Sequence, residues 1–472
     1  MNFIWFRNDL RTLDNPAIFY AQKNKQPTIA VFYICLEQWQ SHHLSLRKMN
    51  IIYQRLLGLT EELNELNIPL YIFNTPNYKD SVHHLLKLTK QSKSTDLFLN
   101  NEYEVDEIKR DASFINQSSS FLNTHQFDGN LFCHPDEIKT GQDTPFKVFS
   151  AFKNKIKPVI QYLPGCLAKP KSFPTVDLTL SLTDKNIDVT QLITDQPKPI
   201  TEKQTIKTLR AFCKNKSEDY LEHRDTPSIR GTSELSVAFS IGIISVKQAF
   251  FRLLQEQPNT IWQSETGANT WLNELIWREF YRHTVFHFDY ICKGKSLKPN
   301  YESIPFSQNK NVFKQWCNGT TGFPIVDAAM RQLNQTGWMH NRLRMISASF
   351  LIKDLHIDWR LGEQYFMQNL CDGDFASNNG GWQWCASTGF DSAPYFRVFN
   401  PTTQSKRFDA RGNFIRKWIP ELKDVPDKYI HEPHKFDELG LFSEKKINYP
   451  SPIVDHKQAR LITLDLYKTA LG

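Results

Sequence analysis

The stretch from residue 338 to residue 384 mixes residue types that a hydrophobic core does not need. It contains the segment 338–345 (WMHNRLRM), the carboxylates of Asp372 and Asp374, and the segment 378–384 (NNGGWQW). Buried charges and amides cost free energy unless they are paired, so their concentration here requires another explanation. A pocket for a large, flat and partly charged ligand needs arginines, amides, carboxylates and tryptophans close together. We therefore take this stretch as the candidate functional region.

The segment 271–283 (WLNELIWREFYRH) places polar and aromatic side chains on one face of a predicted helix. Helical spacing puts Glu274, Trp277, Arg278 and Tyr281 on that face, and the leucines and isoleucine between them can be buried elsewhere. The alternative is a plain amphipathic helix in which Glu274 and Arg278 form a surface ion pair of little energetic value. The tryptophans beside that pair favour a binding face.

A second helix is predicted to begin near Trp338. It would place Asn341, Arg344 and Met345 on one face, at helical spacing. The apolar residues between them form a stripe that can be buried. This helix therefore offers the same combination of a polar binding face and a buried face.

Arg344 needs a carboxylate partner if it is partly buried. Asp354 and Asp372 are the candidate partners, and such a network could be purely structural or could also serve a ligand. The Asp372-Gly373-Asp374 sequence is weak evidence alone, because it also occurs in ordinary turns and in cation-binding loops. Its position just before the tryptophan-rich segment makes it more specific.

The composition favours a large globular protein. A formal net charge of +7 over 472 residues is a weak indication of nucleic-acid binding. The 11 tryptophans and 34 phenylalanines are more suggestive, because aromatic rings stack on flat ligands and bases as well as filling cores. No convincing Ser-His-Asp, Cys-His or metal constellation stands out.

The chain carries no apolar run long enough to span a bilayer, and its start lacks the layout of a signal peptide. We therefore expect a cytoplasmic protein with no membrane association. The eight cysteines are scattered and none forms a C-x-x-C pair. This spacing favours free thiols over a disulfide framework and predicts no metal site.

Alternating apolar runs and helical patterns predict an α/β domain over residues 1–130, with a doubly wound parallel sheet. The predicted strands are 3–6, 28–34, 69–73 and 96–99, and the predicted helices are 16–23, 46–66 and 81–90. No G-x-G-x-x-G follows the first strand, so an NAD-type site is not expected there. Residues 131–200 are predicted to form a long interdomain connector. Residues 201–472 are predicted to form an all-α domain.

Together these segments resemble the flavin- and DNA-binding half of the photolyase/cryptochrome family. The closest likeness is to bacterial cyclobutane-pyrimidine-dimer photolyases of the folate-antenna type. The segment 230–236 (RGTSELS) is similar to the family's phosphate-binding segment, with a plain helix N-cap as the alternative. Several such motifs occur in the family's order.

The resemblance implies FAD as cofactor, in a reduced and anionic active form that the guanidinium of Arg344 would favour. The FAD-binding residues it implies are Tyr220, Thr232, Ser233, Leu235, Ser236, Trp271, Arg278, Arg344, Asp372, Asp374 and Asn378. The lesion-contacting residues it implies are Glu274, Trp277, Asn341, Met345 and Trp384. The DNA-phosphate contacts it implies are Arg224, Arg342, Arg397 and Lys406.

The resemblance also implies an electron relay and an antenna chromophore. Trp382 and Trp359 match two members of the family's tryptophan relay, whereas the third position aligns with Phe306, for which Trp316 is a possible substitute. A 5,10-methenyltetrahydrofolate antenna would be bound by His42, Asp106, Glu107, Cys292 and Lys293. Asp106 stands where the family usually has asparagine.

The activity implied is light-driven repair of cyclobutane pyrimidine dimers in double-stranded DNA, carried out by a monomer. Relatives that act on (6-4) photoproducts use histidines where this chain has Asn341 and Met345. Single-strand-preferring and signalling branches tend to lose lesion-stacking tryptophans, whereas Trp277 and Trp384 are present. The alternatives are a cryptochrome-like blue-light photoreceptor without repair activity, and a DNA-binding flavoprotein whose light chemistry is vestigial.

Overall fold

The computed structural model describes residues 1–176, 186–194, 196–438 and 447–471. The chain divides into two compact units: residues 1–218 with 233–292, and residues 219–232 with 293–472. The predicted domain boundaries near residues 130 and 200 stay a prediction. Part of the predicted connector, residues 177–185 and 195, lies outside the described residues.

The first unit contains a parallel β-sheet. Its described strands are β1 (Asn2–Phe6), β2 (Thr28–Cys35), β3 (Leu70–Thr75), β4 (Asp96–Asn100) and β5 (Asn123–Phe127). They lie in the order β3-β2-β1-β4-β5, and every neighbouring pair is parallel. The chain thus builds outward from β1 in one direction and then in the other, which confirms the predicted doubly wound sheet.

Burial explains which strands the sequence revealed. Every residue of β1 and β2 is buried, as expected for central parallel strands that are covered on both faces. The edge strand β5 (NTHQF) has no buried residue and no apolar run, and the sequence did not predict it. A partly exposed edge strand pairs through its backbone on one side only, so its side chains need not be apolar.

Apart from short 3₁₀- and π-helical turns, the other regular elements of the described residues are α-helices. They are α1 (Pro16–Lys23), α2 (Leu36–Ser41), α3 (Leu46–Asn64), α4 (Tyr78–Gln91), α5 (Val105–Ser118), α6 (Phe149–Gln161), α7 (Glu202–Asn215), α8 (Tyr220–His223), α9 (Ser236–Ser240), α10 (Val246–Glu256), α11 (Gly267–His287), α12 (Lys310–Asn318), α13 (Pro324–Thr336), α14 (Asn341–Ser349), α15 (Trp359–Asn369), α16 (Phe375–Ala386), α17 (Pro401–Phe408), α18 (Asn413–Trp418), α19 (His434–Glu438) and α20 (His456–Leu471). A π-helical turn, Phe350–Asp354, continues α14. Within the described ranges, no helix is long and apolar enough to cross a membrane.

Capping residues fix where the helices start. The side chain of Asn15 accepts a hydrogen bond from the Ala17 amide, and Pro16 occupies the first helical position, so α1 begins where predicted. The prediction that a helix begins near Trp338 was wrong by three residues. The imidazole of His340 accepts a hydrogen bond from the Arg342 amide, and α14 therefore begins at Asn341.

Candidate flavin and DNA site

In the first unit, α11 presents the two faces that its sequence predicts. Leu272, Leu275 and Ile276 are buried, whereas Glu274 and Trp277 remain partly exposed. The helix has the apolar residues it needs for packing on one side. The partly exposed Glu274 and Trp277 lie on the other side.

Trp277 is held in place by a residue that the sequence did not single out. Its ring stacks on Phe149 of α6, with centroids 3.6 Å apart and planes 5° apart. One face of the indole is thus covered by protein. Such backing fixes the orientation of the ring before any base stacks on it.

Two further predicted flavin contacts of the first unit lie on α11. Trp271 is buried and packs against Phe212, with ring centroids 4.8 Å apart. Arg278 donates through Nη1 to the Asn130 carbonyl at 2.9 Å, and its guanidinium lies over the Phe239 ring. The backbone contact fixes the position of the guanidinium on the helix.

The phosphate-binding candidates lie around the start of α9. Leu235 is buried and occupies the N-cap position, and its side chain makes no capping hydrogen bond. The alternative of a plain hydroxyl N-cap is therefore wrong for this helix. Ser236 is exposed and Ser233 is half-buried, whereas Thr232 is half-buried within the second unit.

In the second unit, Arg344 and Asp372 form an ion pair. Nη2 of Arg344 lies 3.0 and 2.8 Å from the two carboxylate oxygens, and Nε donates to the Met339 carbonyl at 2.8 Å. The Asp372 side chain is only 1% exposed, so the guanidinium is its charge partner in a nearly dry environment. The prediction that Asp372 partners Arg344 is confirmed.

The prediction that Asp354 partners Arg344 was wrong. The Asp354 carboxylate instead lies 2.5 Å from Nδ1 of His456, at the start of the C-terminal helix. Burial raises the pKa of Asp354 to about 6. The two partners are separated by 102 residues, so no local spacing could have indicated this pair.

Asp374 and Asn378 lie at the start of α16. The Asp374 carboxylate accepts hydrogen bonds from the amide and hydroxyl of Ser377, at 3.1 and 2.5 Å, and so caps the helix. Asn378 donates through Nδ2 to the backbone carbonyl of Glu363 at 3.0 Å. The two residues are thus placed by the first turn of one helix.

Glu363, which the sequence did not suggest, lies beside these amides. Its carboxyl group accepts a hydrogen bond from Asn379 Nδ2 at 3.2 Å, and burial raises its pKa to about 7. Gln383 in turn donates to the side-chain oxygen of Asn379 at 2.8 Å. The hydrogen bonds thus connect Glu363 to Asn379 and Asn379 to Gln383 within the NNGGWQW segment.

The remaining predicted residues of the second unit line its surface to different extents. Asn341 is exposed, and Met345 and Trp384 are half-buried against the helical core. Tyr220 is buried, and the guanidinium of Arg224 lies over its ring. The structure thus leaves the three lesion candidates of this unit accessible, and places Tyr220 inside.

The predicted DNA-contacting cations are partly neutralised by carboxylates. Arg342 makes a two-pronged contact with Asp225, at 3.1 and 2.7 Å, and Lys406 lies 3.1 Å from Glu432. Arg397 is exposed. Asp225 was missed because it lies 117 residues from Arg342 in the sequence.

The tryptophans of the predicted relay belong to the core of the second unit. Trp382 is 2% exposed, and Trp359 and Trp316 are fully buried. The Trp316 and Trp382 ring centroids are 6.1 Å apart. Phe306 is partly buried against the same core. Trp316 therefore adjoins the relay but does not reproduce a surface position.

Gly362 of α15 lies directly against the Trp382 indole. An added Cβ would lie 2.5 Å from Trp382 Cζ3 and 2.6 Å from Leu351 Cδ2, which is closer than real contacts allow. We expect Gly362→Ala to displace the indole, to destabilise the fold by about 1–3 kcal/mol, and to slow flavin photoreduction. Thermal unfolding and absorbance under blue light measure the two effects.

Gly381→Ala is the matched control for stability, because a Cβ at that helical position meets nothing within 4 Å. Its unfolding temperature should equal or slightly exceed that of the wild type. Equal unfolding temperatures for Gly362→Ala and the wild type would show that the indole does not depend on this glycine.

The structure brings together four of the five predicted antenna residues in the first unit. Nε2 of His42 lies 3.1 Å from Asp106, and Nδ1 lies 3.6 Å from Glu107.

Burial raises the pKa values of two of these antenna candidates. The pKa of Glu107 is raised to about 7, and Tyr78 donates to its carboxylate at 2.8 Å. Burial, aided by the nearby carboxylates, raises the pKa of Cys292 to about 12. Lys293 belongs to the second unit.

Two family models match most of the chain. One, described as DNA photolyase, matches residues 2–174, and the other, described as the FAD binding domain of DNA photolyase, matches residues 271–469. The deoxyribodipyrimidine photo-lyase of Escherichia coli K12 is 43% identical, covering 99% of this chain and 98% of its own. That of Vibrio cholerae is 41% identical over 100% of both chains.

A solved structure is similar over the same extent. The crystal structure of a bacterial class III photolyase from Agrobacterium tumefaciens has a TM-score of 0.87 and 29% identity to this chain. The similarity covers 99% of this chain and 97% of that one. The likeness in sequence and the likeness in fold therefore extend over both units.

Proposed function

Because this chain belongs to the DNA photolyase family, we propose that it uses light to repair cyclobutane pyrimidine dimers in double-stranded DNA. The full-length similarity to deoxyribodipyrimidine photo-lyases carries this proposal. The absence of an evident acid–base or nucleophilic constellation in the sequence agrees with it, because splitting the dimer needs electron transfer only. Repair of a dimer-containing duplex in light but not in the dark is the direct test.

FAD is the cofactor of this chain, and the donor set of the second unit fits a flavin. When bound in its reduced form, FAD supplies one electron to the dimer under light and takes it back once the ring has split. The guanidinium of Arg344, fixed by Asp372 and Met339, would favour an anionic ring. The carboxylate of Asp374 would accept hydrogen bonds from the ribityl hydroxyl groups of the flavin, and the side-chain amide of Asn378 would hydrogen-bond to the edge of the flavin ring.

Lesion recognition falls to the exposed aromatic and polar groups of α11 and of the second unit. Trp277, backed by Phe149, would stack on one base of an extruded dimer. Glu274 would hydrogen-bond to the pyrimidines, since a carboxyl group can accept from ring N–H groups. Asn341, Met345 and Trp384 are the lesion contacts that we propose for the second unit.

DNA backbone contacts would come from Arg224, Arg342, Arg397 and Lys406. Arg342 and Lys406 each have a carboxylate partner, so a phosphate has to replace or share that partner. Such contacts release counterions, and affinity for DNA should fall as salt is raised. A 5,10-methenyltetrahydrofolate antenna at His42, Asp106, Glu107, Cys292 and Lys293 remains part of this proposal, as do a monomeric state and a cytoplasmic location.

We expect Trp316→Phe to slow the photoreduction of oxidised flavin several-fold. Trp316 adjoins Trp382, and a phenylalanine occupies position 306, so an electron that refills Trp382 has Trp316 as a neighbouring source. Trp418→Phe is the matched control, because Trp418 packs against the same core. Photoreduction of Trp316→Phe at the wild-type rate would rule out this substitute.

A further inference from the structure

Three metal-binding types of side chain meet inside the first unit. Cys133 follows strand β5, and Glu279 and His283 lie one turn apart on α11. Their ligand atoms all lie within 4.8 Å of one another. The three residues are 7%, 0% and 4% exposed, respectively, so the cluster is buried.

Hydrogen bonding within the structure does not satisfy this cluster. Oε1 of Glu279 accepts from the Phe132 and Cys133 amides, at 2.8 and 3.4 Å. Among the described residues, neither Oε2 of Glu279 nor either ring nitrogen of His283 has a hydrogen-bond partner. Buried polar groups are rarely left without a hydrogen-bond partner, because they lose their hydrogen bonds to water on burial and this loss costs free energy.

We propose that Cys133, Glu279 and His283 bind a divalent cation of the zinc class. Thiolate, carboxylate and imidazole are the ligand types that Zn²⁺ accepts, with one further oxygen completing a tetrahedral set. Ca²⁺ and Mg²⁺ are disfavoured, because they prefer oxygen ligands. On binding, the Cys133 thiol proton passes to solvent, and the thiolate and carboxylate together balance the charge of the ion.

Such an ion would join the segment after the sheet to the helix that carries Trp277 and Arg278. Arg278 already contacts the Asn130 carbonyl of the same segment. Glu279 also contacts this segment through the Phe132 and Cys133 amides, and the ion would add the side chains of Cys133 and His283 to these connections. It would act as a structural tie and would take no part in electron transfer. The cysteine and the other two residues are far apart in the sequence, so cysteine spacing could not reveal the site.

Metal analysis of the full-length protein with its flavin tests this proposal. Zinc affinity is measured by competition with a fluorescent zinc chelator, and zinc content is measured by mass spectrometry after dialysis. We expect about one zinc per chain in the wild type. Loss of an outer-shell partner of a metal ligand weakens metal affinity by about 10- to 100-fold. Cys133→Ser removes a direct ligand, so it should weaken zinc affinity by more than that. Cys213→Ser, which changes another buried thiol of the first unit, should retain full affinity.

Cobalt substitution keeps the test decisive if Cys133→Ser does not fold. Co²⁺ bound by a thiolate gives a near-ultraviolet charge-transfer band, which we expect in the wild type and in Cys213→Ser. Absence of that band, no retained zinc, or equal zinc affinity in the wild type and Cys133→Ser would each overturn the proposal. A direct contact between His283 and Glu279, whose nearest atoms are 3.5 Å apart, would then account for the cluster.

Discussion

Arg344→Met should lower the free energy of unfolding by about 3 kcal/mol. The substitution removes the guanidinium that faces the carboxylate of Asp372, and that carboxylate is 1% exposed. Because the Asp372 carboxylate is buried, water cannot replace the hydrogen bonds that it loses with the guanidinium. Urea unfolding followed by tryptophan fluorescence measures the change. Flavin retention should fall in parallel, because Asp372 and Arg344 both belong to the proposed flavin site.

Arg342→Met is the matched control for this prediction. It lies on the same helix and also pairs with an aspartate, but the Asp225 side chain is 33% exposed. Solvent screens that pair, so the substitution should cost about 0–1 kcal/mol. Equal losses for the two variants would show that burial of Asp372 does not govern the energetics of the Arg344 pair.

Trp277→Ala should weaken binding to dimer-containing duplex DNA by about 5- to 150-fold. This range corresponds to the loss of one base–aromatic contact, about 1–3 kcal/mol. Phe149 covers one face of the indole, so only the other face is available to a base. Fluorescence anisotropy with a labelled duplex that carries one thymine dimer measures the affinity.

The matched control for Trp277→Ala is Trp262→Ala. Trp262 belongs to the same unit and is 60% exposed, but it lies outside the proposed lesion site. Its removal should leave the affinity for damaged DNA unchanged. A Trp277→Ala variant that binds the damaged duplex as tightly as the wild type would remove this tryptophan from the lesion site.

The sequence predicted most successfully where a local rule determines the structure. The helix at residues 16–23 was predicted to the residue, because Asn15 and Pro16 supply a cap and a first turn. The central strands were recognised because full burial requires apolar runs. The strand β5 was missed because an edge strand without buried residues needs no apolar run.

Contacts between distant segments account for what the sequence missed in the site. Helical spacing identified the exposed face of α11, but it could not reveal that Phe149 backs Trp277. The types of residue near Arg344 suggested two carboxylates, and only the fold separates Asp372, its partner, from Asp354, which pairs with His456. Glu363, on α15, and Asp225, in the turn after α8, became evident only once the fold placed them beside Asn379 and Arg342.

Single-turnover repair in light and in darkness tests the central claim most directly. The purified protein, with its flavin reduced, is incubated with a duplex that carries one thymine dimer, and intact thymines are quantified. We predict that the dimer is lost under near-ultraviolet or blue light and persists in the dark. Persistence of the dimer in light, with reduced flavin bound, would contradict repair and would favour a photoreceptor with the same cofactor.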